Sequence, residues 1–183
     1  KAEYIRHLEQ RRVEGAILMG SMFGSSEVEA SIREHLSGIP IVIVNGYLDL
    51  PNVYSVLADE ERGIEECVEL LARKGRRHMA FVLDLETPSN NKKKRGFMTA
   101  MMRQGIPQEQ QLLYRADEEE ASFPDPHNTI RRGAEITKRL LRENPQVDAI
   151  VYSVDMLAIG GLQEMERQGI AVPEQIAVMG VDN

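Results

Sequence analysis

The chain has 183 residues, 42% of them hydrophobic and 28% charged, with a net charge of −7; it can bury one large core or two small ones and is not disordered. The acidic balance argues against a nucleic-acid surface on this segment, because such a face neutralises phosphates with clustered Lys and Arg. No apolar stretch approaches the roughly 20 residues of a membrane helix, the polar opening from Lys1 is no signal peptide, and the single cysteine, Cys67, permits no internal disulfide, so a cytoplasmic setting is expected.

In chain order, Tyr4, Ile5 and Leu8 predict a helix, Ala16 to Met19 a strand, Val28, Ile32 and Leu36 a helix, and Ile41 to Val44 a strand. A chain that opens on a helix feeding a parallel strand is expected to have a strand before it, so Lys1 reads as an internal residue of a longer protein. Ile64, Val68 and Leu71 mark the next helix, with Cys67 beside them as a core thiol, and Met79 to Leu83 the next strand. A helix from about Lys93 to Arg103 follows, opening on the basic cluster Lys92 to Arg95, where like charges oppose the helix dipole and point either to a functional role or to a solvated face. The strand Gln111 to Tyr114, a solvated acidic loop at Asp117 to Glu120 and a helix around Ile130 to Leu141 come next.

The segment from Asp148 to Asn183 reads as one strand-helix-strand crossover. Ala149 to Val151 and Ile176 to Met179 are apolar runs of the kind buried on both faces in a parallel sheet. Between them Leu157, Leu162 and Met165 recur at helical spacing, and Gly169 followed by Pro173 ends the helix. Strands alternating with helices imply α/β architecture with parallel sheets, and the seam between two groups of elements falls near Leu57, dividing the chain into residues 1–57 and 58–183.

Little in the chain suggests catalysis. His7, His35, His78 and His127 lack metal-site spacing, and no nucleophile elbow, phosphate loop or cysteine pair occurs, so neither enzyme activity nor a metal or other cofactor is expected. The glycines of AIGGL lie inside a helix, where close packing explains them. Three polar residues end strands. Asn45 follows IVIV, where its amide could serve a polyol or form a turn with Gly46; Asp155 follows the strand at Ala149; Asp182 follows IAVMGV, as a ligand acceptor or the cap of a loop. Carboxyl ends of strands hold small ligands in open α/β sheets, although Asp155 also suits the role of helix cap.

The last crossover, with VEGAILMGS at Val13, GIPIVIVNGY at Gly38, ADEERG at Ala58, ARKGRRHMAFV at Ala72 and KKKRGFMTAM at Lys92, resembles the effector-binding core of the lactose-repressor (LacI/GalR) family over almost the whole chain. The resemblance implies a two-lobed, periplasmic-binding-protein-like fold, here without its first strand and returning segment, with a small effector, a sugar above all, in the cleft between lobes. It further implies a DNA-binding helix-turn-helix before Lys1 and a homodimer built largely on the first lobe, with helices such as Glu27 to Leu36. A periplasmic sugar receptor of a transport system shares the fold and is the alternative.

Site residues follow from the same resemblance. Asn45 occupies a slot where many members carry Asp, and Asp182 matches the Asp that accepts from sugar hydroxyls. Lys93 stands where the family has Arg, keeping the charge but losing the planar fork. Asn91, like Asn90, could add contacts, and Val154 replaces an Asn that often precedes Asp155. Phe123 is the candidate aromatic platform, with Tyr47 and Phe23 as possible substitutes.

Overall fold

A computed structural model describes residues 2–116 and 125–182. Phe123 and the acidic run from Asp117 to Glu120 lie outside the described residues. The chain forms two compact units, Lys1–Asp59 with Thr87–Ser89, and Glu60–Glu86 with Asn90–Asn183.

The first unit contains α1 (Ala2–Gln10), β1 (Ala16–Met19), α2 (Ser26–His35), β2 (Ile41–Val44) and β3 (Val53–Val56). The strands form a parallel sheet in the order β1-β2-β3. One face carries Leu18, Ile41 and Ile43, which pack with Ile5 of α1 and with Val28 and Ile32 of α2. The other face carries Ile17, Met19, Tyr54 and Val56, all exposed, in register with Val42 and Val44. Both faces are thus apolar, the pattern of a parallel sheet and not of a half-solvated one. β3 falls at the expected seam, where its half-buried and exposed positions alternate over only four residues, too short a run to stand out as a strand.

The second unit contains α3 (Glu60–Arg73), β4 (Met79–Leu83), α4 (Pro88–Arg103), β5 (Leu112–Arg115), α5 (Pro126–Glu143), β6 (Ala149–Tyr152), α6 (Asp155–Arg167) and β7 (Ala177–Met179). Its sheet is parallel with order β5-β4-β6-β7. Every residue of the two central strands is buried. Alternate residues serve opposite cores: Ala80, Val82, Ile150 and Tyr152 pack with Ile136 and Leu140 of α5 and Leu157 and Met165 of α6, while Phe81 and Val151 pack with Ile64 and Val68 of α3 and Phe97 of α4. Helices therefore cover both faces of this sheet.

α4 begins at Pro88, earlier than the expected Lys93, so Lys92 to Arg95 occupy the second turn, where the dipole penalty has largely faded. α5 begins at Pro126, with the Asp125 carboxylate accepting from the His127 amide at 3.0 Å. Cys67 is only half-buried, a correction to its reading as a core thiol, and burial still pushes its thiol pKa up. Leu162 is 40% exposed, so the apolar spacing that marked α6 does not all face the core.

α5 and α6 cross at a glycine contact. A Cβ on Gly133 would collide with the Leu157 carbonyl oxygen, and one on Gly160 with that of Ile130. Beneath the crossing, the Thr137 hydroxyl donates to the Gly133 carbonyl at 2.7 Å, so the buried Tyr152 hydroxyl, 2.7 Å away, donates to Thr137 Oγ1. Burial drives the Tyr152 pKa upward, keeping the phenol protonated. Gly133→Ala should cost about 1–3 kcal/mol in urea denaturation through overpacking, whereas Gly63→Ala, in α3 with open space around it, should not destabilise. Equal stabilities for the two variants would contradict the close crossing.

Candidate functional site

In a parallel sheet every strand delivers its carboxyl end to the same edge. At that edge of the second unit, β4 runs into Asp84, β6 into Ser153 and Asp155, and β7 through Gly180 into Asp182. Two of these strand-end groups, Ser153 and Asp182, meet at Lys93, which projects from the second turn of α4. Its side chain is only 6% exposed, and its ammonium donates to the Ser153 carbonyl at 2.9 Å and lies 3.8 Å from Asp182 Oδ1. A buried ammonium needs such partners, because desolvation is otherwise costly.

Asp182 keeps 53% of its side chain exposed. Its Oδ2 accepts from the Asp155 amide at 3.1 Å. Asp155 returns the contact, with Oδ1 accepting from the amides of Val181 at 2.7 Å and Asp182 at 3.1 Å. Each aspartate thus holds the other's backbone. Gly180 makes this possible, since a Cβ there would collide with the Asp155 carboxylate. The expected helix-cap role of Asp155 is corrected: the cap position is Val154, without a side-chain cap bond, and the amides of Leu157 and Ala158 point to the Val154 carbonyl at 3.2 and 3.4 Å. Asp155 is spent instead on fixing the exit of β7.

A second charged pair lies beside this network and escaped sequence reasoning. Arg132 of α5 reaches Asp84 Oδ1 at 2.8 Å, with side-chain exposures of only 12% and 16%. The Asp84 amide donates to Ser153 Oγ at 2.9 Å, which links the pair to the strand end that receives Lys93. The only sequence signal was a polar residue directly after a wholly apolar strand. Arg132 carried none, because its partner is remote in sequence.

Asn90 is buried and donates to the Leu85 carbonyl at 2.8 Å, whereas half-buried Asn91 enters none of the bonds just described. In the first unit, Asn45 has φ +60, its amide donates to the Val56 carbonyl at 2.8 Å, and its Oδ1 accepts from the Ala58 amide at 3.2 Å. Its side-chain oxygen therefore closes the exit of β3, the turn role, and leaves the amide NH2 as its donor group. Tyr47 is 62% exposed. No cluster of His, Cys, Asp and Glu suited to a metal occurs among the described residues.

The arrangement offers an exposed carboxylate beside a buried ammonium at the carboxyl edge of a doubly covered parallel sheet, the part of such α/β folds where small ligands are held. Residues 1–183 match the profile described as periplasmic binding proteins and sugar binding domain of the LacI family, and the chain belongs to that family. It is 24% identical over its whole length to an HTH-type transcriptional regulator of Lachnoclostridium phytofermentans, covering 53% of that protein. It is 27% identical, over 94% of its length, to 49% of catabolite control protein A of Priestia megaterium. The chain thus spans about half the length of these relatives.

Among solved structures, a LacI transcriptional regulator from a Rhodococcus species is 28% identical with a TM-score of 0.80, over 98% of this chain and 61% of that one. A sugar-binding LacI-family regulator from Escherichia coli, complexed with phosphate, is 26% identical with a TM-score of 0.79, over 99% and 61%. No helix among the described residues is long and apolar enough to cross a membrane.

Replacing Asp155 with Ala should free the Val181 and Asp182 amides, costing about 1–3 kcal/mol and speeding their hydrogen exchange. Asp155→Asn, which retains an acceptor oxygen, should cost less. Unchanged exchange in the Ala variant would remove the reciprocal clasp.

Proposed function

We propose that this chain is the effector-sensing part of a DNA-binding transcriptional regulator and that it binds a small polyhydroxylated effector, a sugar above all, at the carboxyl edge of the second unit. The observation that carries this reading is the pairing of Asp182, half exposed and able to accept from hydroxyl groups, with Lys93, a nearly buried donor 3.8 Å away. Carboxylates beside a cation give a hydroxyl both an acceptor and a donor without net charge in the ligand. Asp84 and Arg132 supply a second such pair at the neighbouring strand end.

Lys93 in place of a planar guanidinium presents a point charge with rotatable donors, so the grip on the effector is by single hydrogen bonds and not a bidentate fork. Asn45 and Asn91 are further contact candidates, through the Asn45 NH2 and the half-buried Asn91 amide. Phe123 retains the proposed part of an aromatic platform against the C–H face of the sugar.

The regulator reading draws on relatives that are transcriptional regulators, and it places this protein in the bacterial cytoplasm, as a homodimer, with DNA read by a helix-turn-helix outside the present sequence. Effector binding can shift DNA affinity only by its difference in affinity for the DNA-competent and DNA-free arrangements. A periplasmic receptor is the second reading, since the family's own description includes such proteins.

A thermal-shift panel of monosaccharides, disaccharides and uronic acids tests the site. A true effector at about 100 times its Kd should add roughly 2.7 kcal/mol of stability, and Asp182→Ala should remove that response while preserving the fold. A variant that still responds fully would take Asp182 out of the site. Loss of operator binding by the full-length protein on adding the same sugar would separate a regulator from a transport receptor.

A further inference from the structure

The second unit also has an amino edge, where its strands begin, and a cavity of about 450 Å³ opens there. It lies at the opposite end of β4 from Lys93 and Asp182: Met79 starts β4 and Leu112 starts β5, and both line it. The volume falls within the range of small-molecule sites. We propose that this cavity is a second ligand site that takes a small organic anion with an apolar body, such as an aromatic or branched-chain carboxylate.

Two independent features specify that class. The first is the floor. Met79 and Met101 are almost wholly buried and, with Ile106 and Leu112, form an apolar base. Thioethers are deformable and polarisable, which suits a flat ring or branched chain. The second is the charge of the rim. Arg76, Arg77 and His78 form one wall and the amides of Gln104 and Gln146 stand on others, while no Asp or Glu among the described residues lines the cavity. In a chain with 29 acidic residues against 22 Lys and Arg, an unbalanced basic rim over an apolar floor is a local exception.

The acid bonded to this wall uses its carboxylate on backbone amides. Asp148, just before β6, accepts from the Arg77 amide at 2.8 Å and the His78 amide at 3.0 Å, and the Asp148 amide donates back to the His78 carbonyl at 3.0 Å. These bonds fix the backbone of the basic wall without using its side chains. Arg76 is held by neutral carbonyls, including that of Gln175 at 3.1 Å, and Arg77 donates to the Ala72 carbonyl at 3.2 Å. Neutral acceptors orient the guanidinium groups, and among the described residues neither forms an ion pair with a carboxylate. An anionic head group is the partner that balances their charge. Glu69, which borders an adjoining shallow groove with Arg73 and Arg77, is paired with Arg62 at 3.4 Å.

The test uses 2-naphthoate as the anionic probe and 2-naphthalenemethanol as its neutral counterpart, each titrated into the isotopically labelled protein and followed by amide NMR shifts. Naphthoate should shift residues 76–79 and 101–112 and leave the amides of Asp155 and Asp182 unmoved. The double variant Arg77→Gln, His78→Gln removes rim charge but keeps the backbone bonds to Asp148, and it should weaken naphthoate at least about tenfold while hardly changing the alcohol. Equal binding of the alcohol, equal binding by the variant, or shifts confined to another surface would each overturn the proposal. Preserved shift dispersion in the variant separates loss of the site from loss of fold.

Discussion

Parallel pairing delivers the carboxyl ends of all strands to one edge of a sheet, and the polar chemistry of the second unit depends on that constraint. β4, β6 and β7 are separated by whole helices in sequence, yet their last residues become neighbours. The edge then collects groups that no local segment could assemble. The nearly buried Lys93 side chain meets the Ser153 carbonyl and the Asp182 carboxylate there, which arrive from two different strands. The reciprocal bonds between Asp155 and Asp182 hold those strand ends in place.

Close packing beneath the sheet edge preserves this geometry. Gly133 and Gly160 bring α5 and α6 into backbone contact, and α6 begins at the residue whose amide binds Asp182. The Tyr152–Thr137–Gly133 hydrogen-bond chain ties the last residue of β6 to α5 in the same layer. A buried phenol left without its acceptor would be costly, so this chain also selects the register of α5 against the sheet. On the other face, Phe81 and Phe97 stack with centroids 5.3 Å apart and fix α4, and therefore Lys93, against β4.

The two edges of the same sheet have different electrostatic character. At the carboxyl edge, Lys93 and Arg132 each stand beside an aspartate, Asp182 and Asp84. At the amino edge, Arg76, Arg77 and His78 stand on one wall above an apolar floor, at the proposed anion site. β4 runs from one to the other, with Met79 at its start and Asp84 after its end.

Much of this organisation was legible in the residues themselves. Apolar runs marked the strands at Ala16, Ile41, Met79 and Ala149, and those at Met79 and Ala149 are buried at every position, as parallel strands covered on both faces require. Wording such as KKKRGF and VMGVDN carried the family resemblance. It also pointed to Lys93 and Asp182, which the fold brings within 3.8 Å. Helix starts were less legible, since α4 and α5 each open on polar residues around a proline, and β3 is too short to show a period. Sequence alone determined the alternation of elements and the placement of polar groups after strands, because those depend on local pattern. Tertiary structure decided that Asp155 clasps β7 and does not cap α6, that Lys93 is buried, and that Arg132 meets Asp84, because each outcome depends on a partner brought close only when distant strands and helices pack.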